Sequence, residues 1–119
     1  MNVTTFSQTV AVYVPTTINA NVPASKKMVK SIVRRVMVKM VDLYGGCTVT
    51  TAMGGYKSSL GQIIQEKIYI VRSSAAKVNK QDVFSIALGV CKKMNQECVG
   101  AEINGNFNLV AREPEMKVA

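Results

Sequence analysis

Apolar positions recur along this chain in two rhythms. Residues 9–14, Thr-Val-Ala-Val-Tyr-Val, are β-branched and aromatic and stop at Pro15. They predict a strand ended by a proline, which cannot donate to a ladder. A polar stretch follows over 16–24. From Lys26 to Tyr44 the period lengthens: Val29, Ile32, Val33, Val36, Met40 and Leu43 recur at steps of three and four, predicting an amphipathic helix. Ser25 stands in the N-cap position, and Gly45-Gly46 is the stop signal. Residues 47–53 predict a second strand and the apolar run Ile63–Val71 a third, with a glycine-bearing hairpin loop between them. Asn79-Lys80-Gln81-Asp82 resembles a capping box opening a second helix, whose apolar face is Val83, Ile86, Ala87, Val90, Cys91 and Met94. Residues 98–103 predict a fourth strand. Asn104-Gly105 is a strong hairpin signal, so Asn106–Val110 is expected to return as a fifth, edge strand.

The order is β-α-β-β-α-β with one extra strand, and strand-helix-strand occurs twice. This predicts an α+β, ferredoxin-like βαββαβ fold. An antiparallel sheet would carry two helices on one face, with the first and third strands side by side and an extra C-terminal hairpin strand. One domain is expected over 1–119, with an ordered core at 8–110 and a polar tail at 111–119.

Composition narrows the chemistry. The chain has 119 residues, 48% of them hydrophobic and 18% charged, enough apolar material for one core. It holds 15 Lys and Arg against 7 Asp and Glu, a formal net charge of +8, which favours anionic partners. No apolar run approaches the ~20 residues needed to span a bilayer, so no membrane association is expected. The N-terminus does not read as a signal peptide. Cys47, Cys91 and Cys98 lack Cys-x-x-Cys spacing, and there is no histidine, so no metal site or cofactor is expected. Three free thiols suit a cytoplasmic location.

The same inventory speaks to catalysis. Without histidine, a histidine-based triad or dyad is impossible. The carboxylates are scattered. Glu66 alone lies within a strongly apolar strand, where it reads either as an acid or base or, more commonly, as a cross-strand partner for Lys or Arg. The expectation is a protein that is not an enzyme and has no catalytic residues.

Three binding surfaces remain. The first helix carries Lys26, Lys27, Lys30, Arg34, Arg35 and Lys39 against only Asp42, a basic face suited to anions or simply to water. On the sheet, strand alternation with Val10, Val12, Val14, Ile68 and Ile70 turned to the helices would bring Tyr13 and Tyr69 together on the open face. RNA-recognition domains share this element order and stack bases on aromatics of these two strands. Their glycine-aromatic signature is absent here, and an open face of Ala, Val, Tyr and Thr more often meets a second copy of itself. The third candidate is the loop Gly54, Gly55, Tyr56, Lys57. Its Lys-Ser lacks P-loop spacing, and a strand rather than a helix follows, so no phosphate-cradling helix N-terminus is present. It is expected to be a mobile hairpin tip.

The segments V-Y-V-P-T-T (12–17), G-G-C-T (45–48), G-x-x-x-x-x-x-G (54–61) and E-K-I-Y-I-V (66–71) resemble small bacterial and phage proteins of ferredoxin-like fold. The arrangement is also similar to the PII-like nitrogen-regulatory proteins. Those are ferredoxin-like trimers whose long loop between strands two and three helps to bind nucleotides at subunit clefts. The resemblance implies a homo-oligomer that binds an anionic, nucleotide-like ligand through Gly54, Gly55, Tyr56, Lys57 and Arg72; a phage-type accessory or sequestering protein is the expected kind. A nucleic-acid module using Tyr13 and Tyr69, and a factor docking an acidic protein through the basic helix, are the alternatives.

Overall fold

The computed structural model describes residues 1–19, 21–58 and 60–113. The elements run β1 (Gln8–Pro15), β2 (Thr17–Ile18), β3 (Val22–Pro23), α1 (Lys26–Tyr44), β4 (Thr48–Lys57), β5 (Ile63–Ala75), α2 (Lys80–Lys93), β6 (Cys98–Ile103) and β7 (Asn106–Ala111). Five strands form one antiparallel sheet in the order β4-β5-β1-β6-β7. The polar stretch after Pro15 is not all loop: β2 and β3 pair there as a small ribbon. Within the expected 111–119 tail, Ala111 belongs to β7. Residues 114–119 lie outside the described residues.

Both helices start where the capping residues stand. Ser25 Oγ accepts from the Met28 amide, and Asn79 Oδ1 accepts from the Gln81 amide. Gly45 ends α1 in the left-handed region at φ 87°, its N–H donating to the Val41 carbonyl. A side chain at that φ would be strained, which is why glycine serves there. Asn104 and Gly105 have φ of 51° and 83°, the paired positive angles of a tight hairpin joining β6 to β7.

The core lies on one side of the sheet. Cross-strand partners share a face, and Val12 pairs with both Val71 and Ala101, and Val10 with Ile103. These side chains are buried with Val29, Ile32, Val36 and Met40 of α1 and Val83, Ile86, Val90 and Cys91 of α2. Both helices therefore cover the same face. Leu43 departs from the expected apolar stripe and is exposed at the end of α1. Cys91 is buried, and its Sγ–H donates to the Gln96 carbonyl at 3.0 Å.

Met40 has no exposed surface, whereas Met53 on β4 is 68% exposed. Denaturant unfolding should show Met40→Ala costing about 2–5 kcal/mol through transfer and cavity terms, and Met53→Ala costing within about 0.5 kcal/mol. Equal costs would contradict this placement of the core.

Candidate functional site

The β4–β5 hairpin is paired further out than its glycines suggest. β1 ends with Pro15 opposite Ile68, but β4 and β5 continue as a two-stranded arm: Gly54 pairs with Glu66, Gly55 with Gln65, Tyr56 with Ile64 and Lys57 with Ile63. The molecule is correspondingly elongated, 59 × 35 × 28 Å. The expected position of Gly54–Lys57 at the hairpin tip is therefore corrected: these residues lie in the paired part of the arm. Neither Gly54 nor Gly55 has a positive φ, and extended glycine pairs in a ladder like any other residue. The tip is the turn after Ser58, closed by Ser58 N–H to the Gln62 carbonyl at 2.8 Å, with Gly61 at φ 81°.

Where the arm leaves the sheet, three segments converge on Glu66. The chain turns round Pro15, and the Thr16 hydroxyl donates to the Lys67 carbonyl at 2.6 Å. Thr17 Oγ1 donates to Glu66 Oε2 at 2.8 Å. From beyond α2, Gln96 Nε2 donates to the Thr17 carbonyl at 2.7 Å and to Thr17 Oγ1 at 3.0 Å. Gln96 is only 8% exposed, and Asn19 N–H to the Met94 carbonyl pins the same corner. A relay from a buried amide through a hydroxyl thus aims the Glu66 carboxylate. Among the described residues no Lys or Arg comes within ion-pair distance of it; the ion pair found among them is Arg72 with Glu102, away from this corner. The cross-strand cationic partner expected for Glu66 is replaced by a threonine hydroxyl.

Gly54 and Tyr56 share the face of Glu66, whereas Gly55 and Lys57 alternate to the other face. Burial raises the Tyr56 phenol above its ordinary value, and the negative charges of Glu66 and Glu97 push it further. The predicted quartet thus splits in two, with Glu66 joining the Tyr56 half. Sequence reasoning noticed Glu66 but discounted it. Its signal was a lone carboxylate in an apolar strand.

Arg72 stands apart from this corner. It pairs with Thr48, six residues along β5 from Glu66, roughly 20 Å at about 3.3 Å per residue. There it lines a cleft of about 630 Å³ with Phe6, Tyr44, Thr48 and Ser74. Arg72 Nη2 lies 3.7 Å from Glu102 Oε2, and the Tyr13 hydroxyl donates to Glu102 Oε1. The Tyr13 ring meets Phe107 edge-on, with centroids 5.4 Å apart. Gly100 leaves room for that ring, since a Cβ there would sit 2.7 Å from Phe107. Arg72 therefore does not join Gly54–Lys57 within one chain.

The expected pairing of Tyr13 with Tyr69 is also corrected. Tyr13 pairs with Ile70, and Tyr69 with Val14, so the two rings lie on opposite faces of the sheet. Tyr69 packs against the core, under the Lys67 ammonium at 5.2 Å. It is Ile68 and Ile70, assigned from the sequence to the helix side, that take the open face. The basic residues Lys26, Lys27, Lys30, Arg34, Arg35 and Lys39 are all exposed on α1.

No known family description matches this sequence, and no curated protein matches it. Solved structures do. A phage SAM lyase in complex with S-methyl-5'-thioadenosine superposes with a TM-score of 0.69 at 13% identity, covering 98% of each chain. A phage SAM lyase in the apo state gives a TM-score of 0.63 at 13% identity, covering 93% of this chain and 94% of that one. At this identity the likeness is one of fold. It nevertheless overturns the expectation that the chain is not an enzyme, because the whole of this fold is shared with one. Lack of histidine excludes a histidine triad but not a reaction that needs none. No helix among the described residues is long and apolar enough to cross a membrane.

Burial holds the Tyr13 phenol above its ordinary value, helped by the hydrogen bond to Glu102 and that carboxylate's charge, and opposed by Arg72. The folded state therefore keeps this proton more tightly than the unfolded chain. That stabilising contribution is complete below the unfolded phenol value near pH 10 and is lost as pH rises through the folded value. Tyr13→Phe should remove one late-ionising phenol from an alkaline absorbance titration. It should also flatten the fall in stability above about pH 10. If the phenol lost in Tyr13→Phe ionises with the ordinary ones instead, the part-buried Tyr13–Glu102 contact is ruled out.

Proposed function

We propose that this protein is an enzyme of the SAM-lyase type, acting on a sulfonium nucleoside at the base of the β4–β5 arm. The observation that carries the reading is Glu66: a half-buried carboxylate, aimed by Thr17 and Gln96 and lacking a cationic partner among the described residues, in a chain superposable end to end on that lyase. Release of S-methyl-5'-thioadenosine from S-adenosylmethionine breaks the bond between sulfur and the methionine-derived chain. Sulfur keeps the electron pair and becomes a neutral thioether. The replacement electrons come from within the substrate: its own carboxylate oxygen bonds to the carbon that sulfur leaves, so one C–O bond forms as the C–S bond breaks and no proton moves. This route needs neither histidine nor water.

The direction of charge change assigns Glu66 its place. A carboxylate against the sulfonium would hold a charge that the reaction must discharge, stabilising the ground state more than the transition state. Against the substrate ammonium, whose charge persists, it fixes orientation at no such cost. Glu66 is accordingly read as the ammonium receptor, with Gly54 and Tyr56 on the same face beside it. The ligand class is therefore a nucleoside; S-methyl-5'-thioadenosine has no phosphate, so the anionic character expected of the ligand is not part of the proposal.

The strand order, with β1 beside β5 and the two helices on one face, supports a ferredoxin-like reading of the sheet. Its open face carries Ile68, Ile70, Phe107 and Leu109, the last two 56% and 66% exposed, and is read as a contact between copies of the chain. Arg72 would enter a Glu66 site only from such a neighbour. Three free cysteines support a reducing, cytoplasmic setting.

Incubation with S-adenosylmethionine should release S-methyl-5'-thioadenosine, read by chromatography. Glu66→Gln should lower the rate about a hundredfold, some 3 kcal/mol, with little change in Tm. Absence of product, and of any thermal shift with either compound, would sink the proposal. Sedimentation should show an oligomer that Leu109→Asp dissociates; a wild-type monomer at micromolar concentration would remove the sheet-face contact.

A further inference from the structure

α1 and α2 part along their outer sides, leaving a groove of about 300 Å³ on the helix side of the sheet, away from Glu66. Its floor is apolar, formed by residues such as Val36 and Ile86, and both are buried. Its rim is four exposed cations, Arg35 and Lys39 from α1 and Lys92 and Lys93 from α2. No carboxylate and no aromatic residue lines it. Sequence periodicity shows the α1 charges, but only the packing sets them opposite Lys92 and Lys93.

Two features have no account within the chain itself. Lys92 and Lys93 occupy the last turn of α2, where the helix dipole favours cations. Arg35 and Lys39 sit mid-helix, one turn apart, where like charges repel. The second feature is Gly89, inside α2 and at the groove. Glycine in a helix interior costs about 1 kcal/mol relative to alanine. Yet a Cβ at Gly89 would meet nothing within 4 Å, and the residue has no positive φ. Neither backbone geometry nor internal packing requires it. The glycine leaves an open slot in the wall of the groove that Arg35, Lys39, Lys92 and Lys93 also line.

We propose that this groove docks an acidic amphipathic helix of a partner protein, with an apolar side chain in the slot at Gly89 and carboxylates on Arg35, Lys39, Lys92 and Lys93. The groove spans about two turns of each helix, roughly 10 Å, the reach of a short helical segment laid into it. The cations supply charge complementarity and faster encounter. A single-stranded nucleic acid is the poorer occupant, because such strands bind on aromatic platforms and the groove has an aliphatic floor.

The test uses the full chain and a fluorescent synthetic peptide of about four helical turns, with leucines on one face and glutamates flanking them. Its binding is compared with that of a labelled oligothymidylate by anisotropy at physiological salt. The peptide should bind, and the oligonucleotide should bind more weakly. Gly89→Leu fills the slot while leaving every charge, and should weaken peptide binding at least tenfold without lowering Tm. Lys92→Glu with Lys93→Glu should weaken it by a similar factor. Failure of the peptide to bind, equal binding by the Gly89→Leu protein, or binding of the oligonucleotide alone would each overturn the proposal. None of these readouts depends on lyase activity, so the two proposals fail separately.

Discussion

The register of β1 against β5 is the constraint on which the other features depend. Val12 opposite Val71 sends the valines of β1 under the helices together with Val71. Side chains alternate across a strand, so a slip of one residue would turn every one of them over. Given this register, Ile68, Ile70 and Arg72 must face away from the helices, and Tyr69 must face towards them. Helix burial thus decides which aromatics and which charges of β5 are available on the open side of the sheet. Glu66 belongs to that same alternating set.

Pro15 then determines where the sheet ends and the arm begins. It cannot extend the ladder as a donor, and the chain turns away while β4 and β5 run on as a pair. The residues just after it, Thr16 and Thr17, are carried to the start of the arm. There Thr16 bonds to the Lys67 carbonyl and Thr17 meets Gln96, which follows the end of α2 in the far part of the sequence. A single carboxylate is consequently held by segments around residues 17, 66 and 96. Arg72, on the same strand, is held instead by Glu102 and the Tyr13 cluster. The two ends of β5 are thus separate chemical environments.

The distribution of positive charge follows from the same architecture. With both helices on one face, the α1 cations and the α2 terminal lysines share the outer side of that layer. The molecule therefore presents a polar, strongly basic helix side and a more apolar sheet side. Its net charge of +8 is a property of one of these sides more than of the site around Glu66.

Much of the fold is local in origin and was readable from the residues. The periodicity of Val29 to Met40, the caps at Ser25 and Asn79, the stop at Gly45 and the Asn104-Gly105 turn each act within a few residues, so the helices and the last hairpin follow from the chain alone. The alternation in β1 also identified its buried valines. In β5 the alternation was visible but its direction was not. Ile68 and Ile70 are as hydrophobic as any core pair, and Tyr69 with Val71 fits either side. Only the pairing with β1 chose between them. Gly54-Gly55 read as a break because glycine permits a turn, yet nothing local requires one, and cross-strand pairing kept the segment extended. The meeting of Thr17, Glu66 and Gln96, and of Arg35 with Lys92, depends on contacts between residues far apart in sequence. Local propensity carries no information about these contacts; tertiary packing decided them.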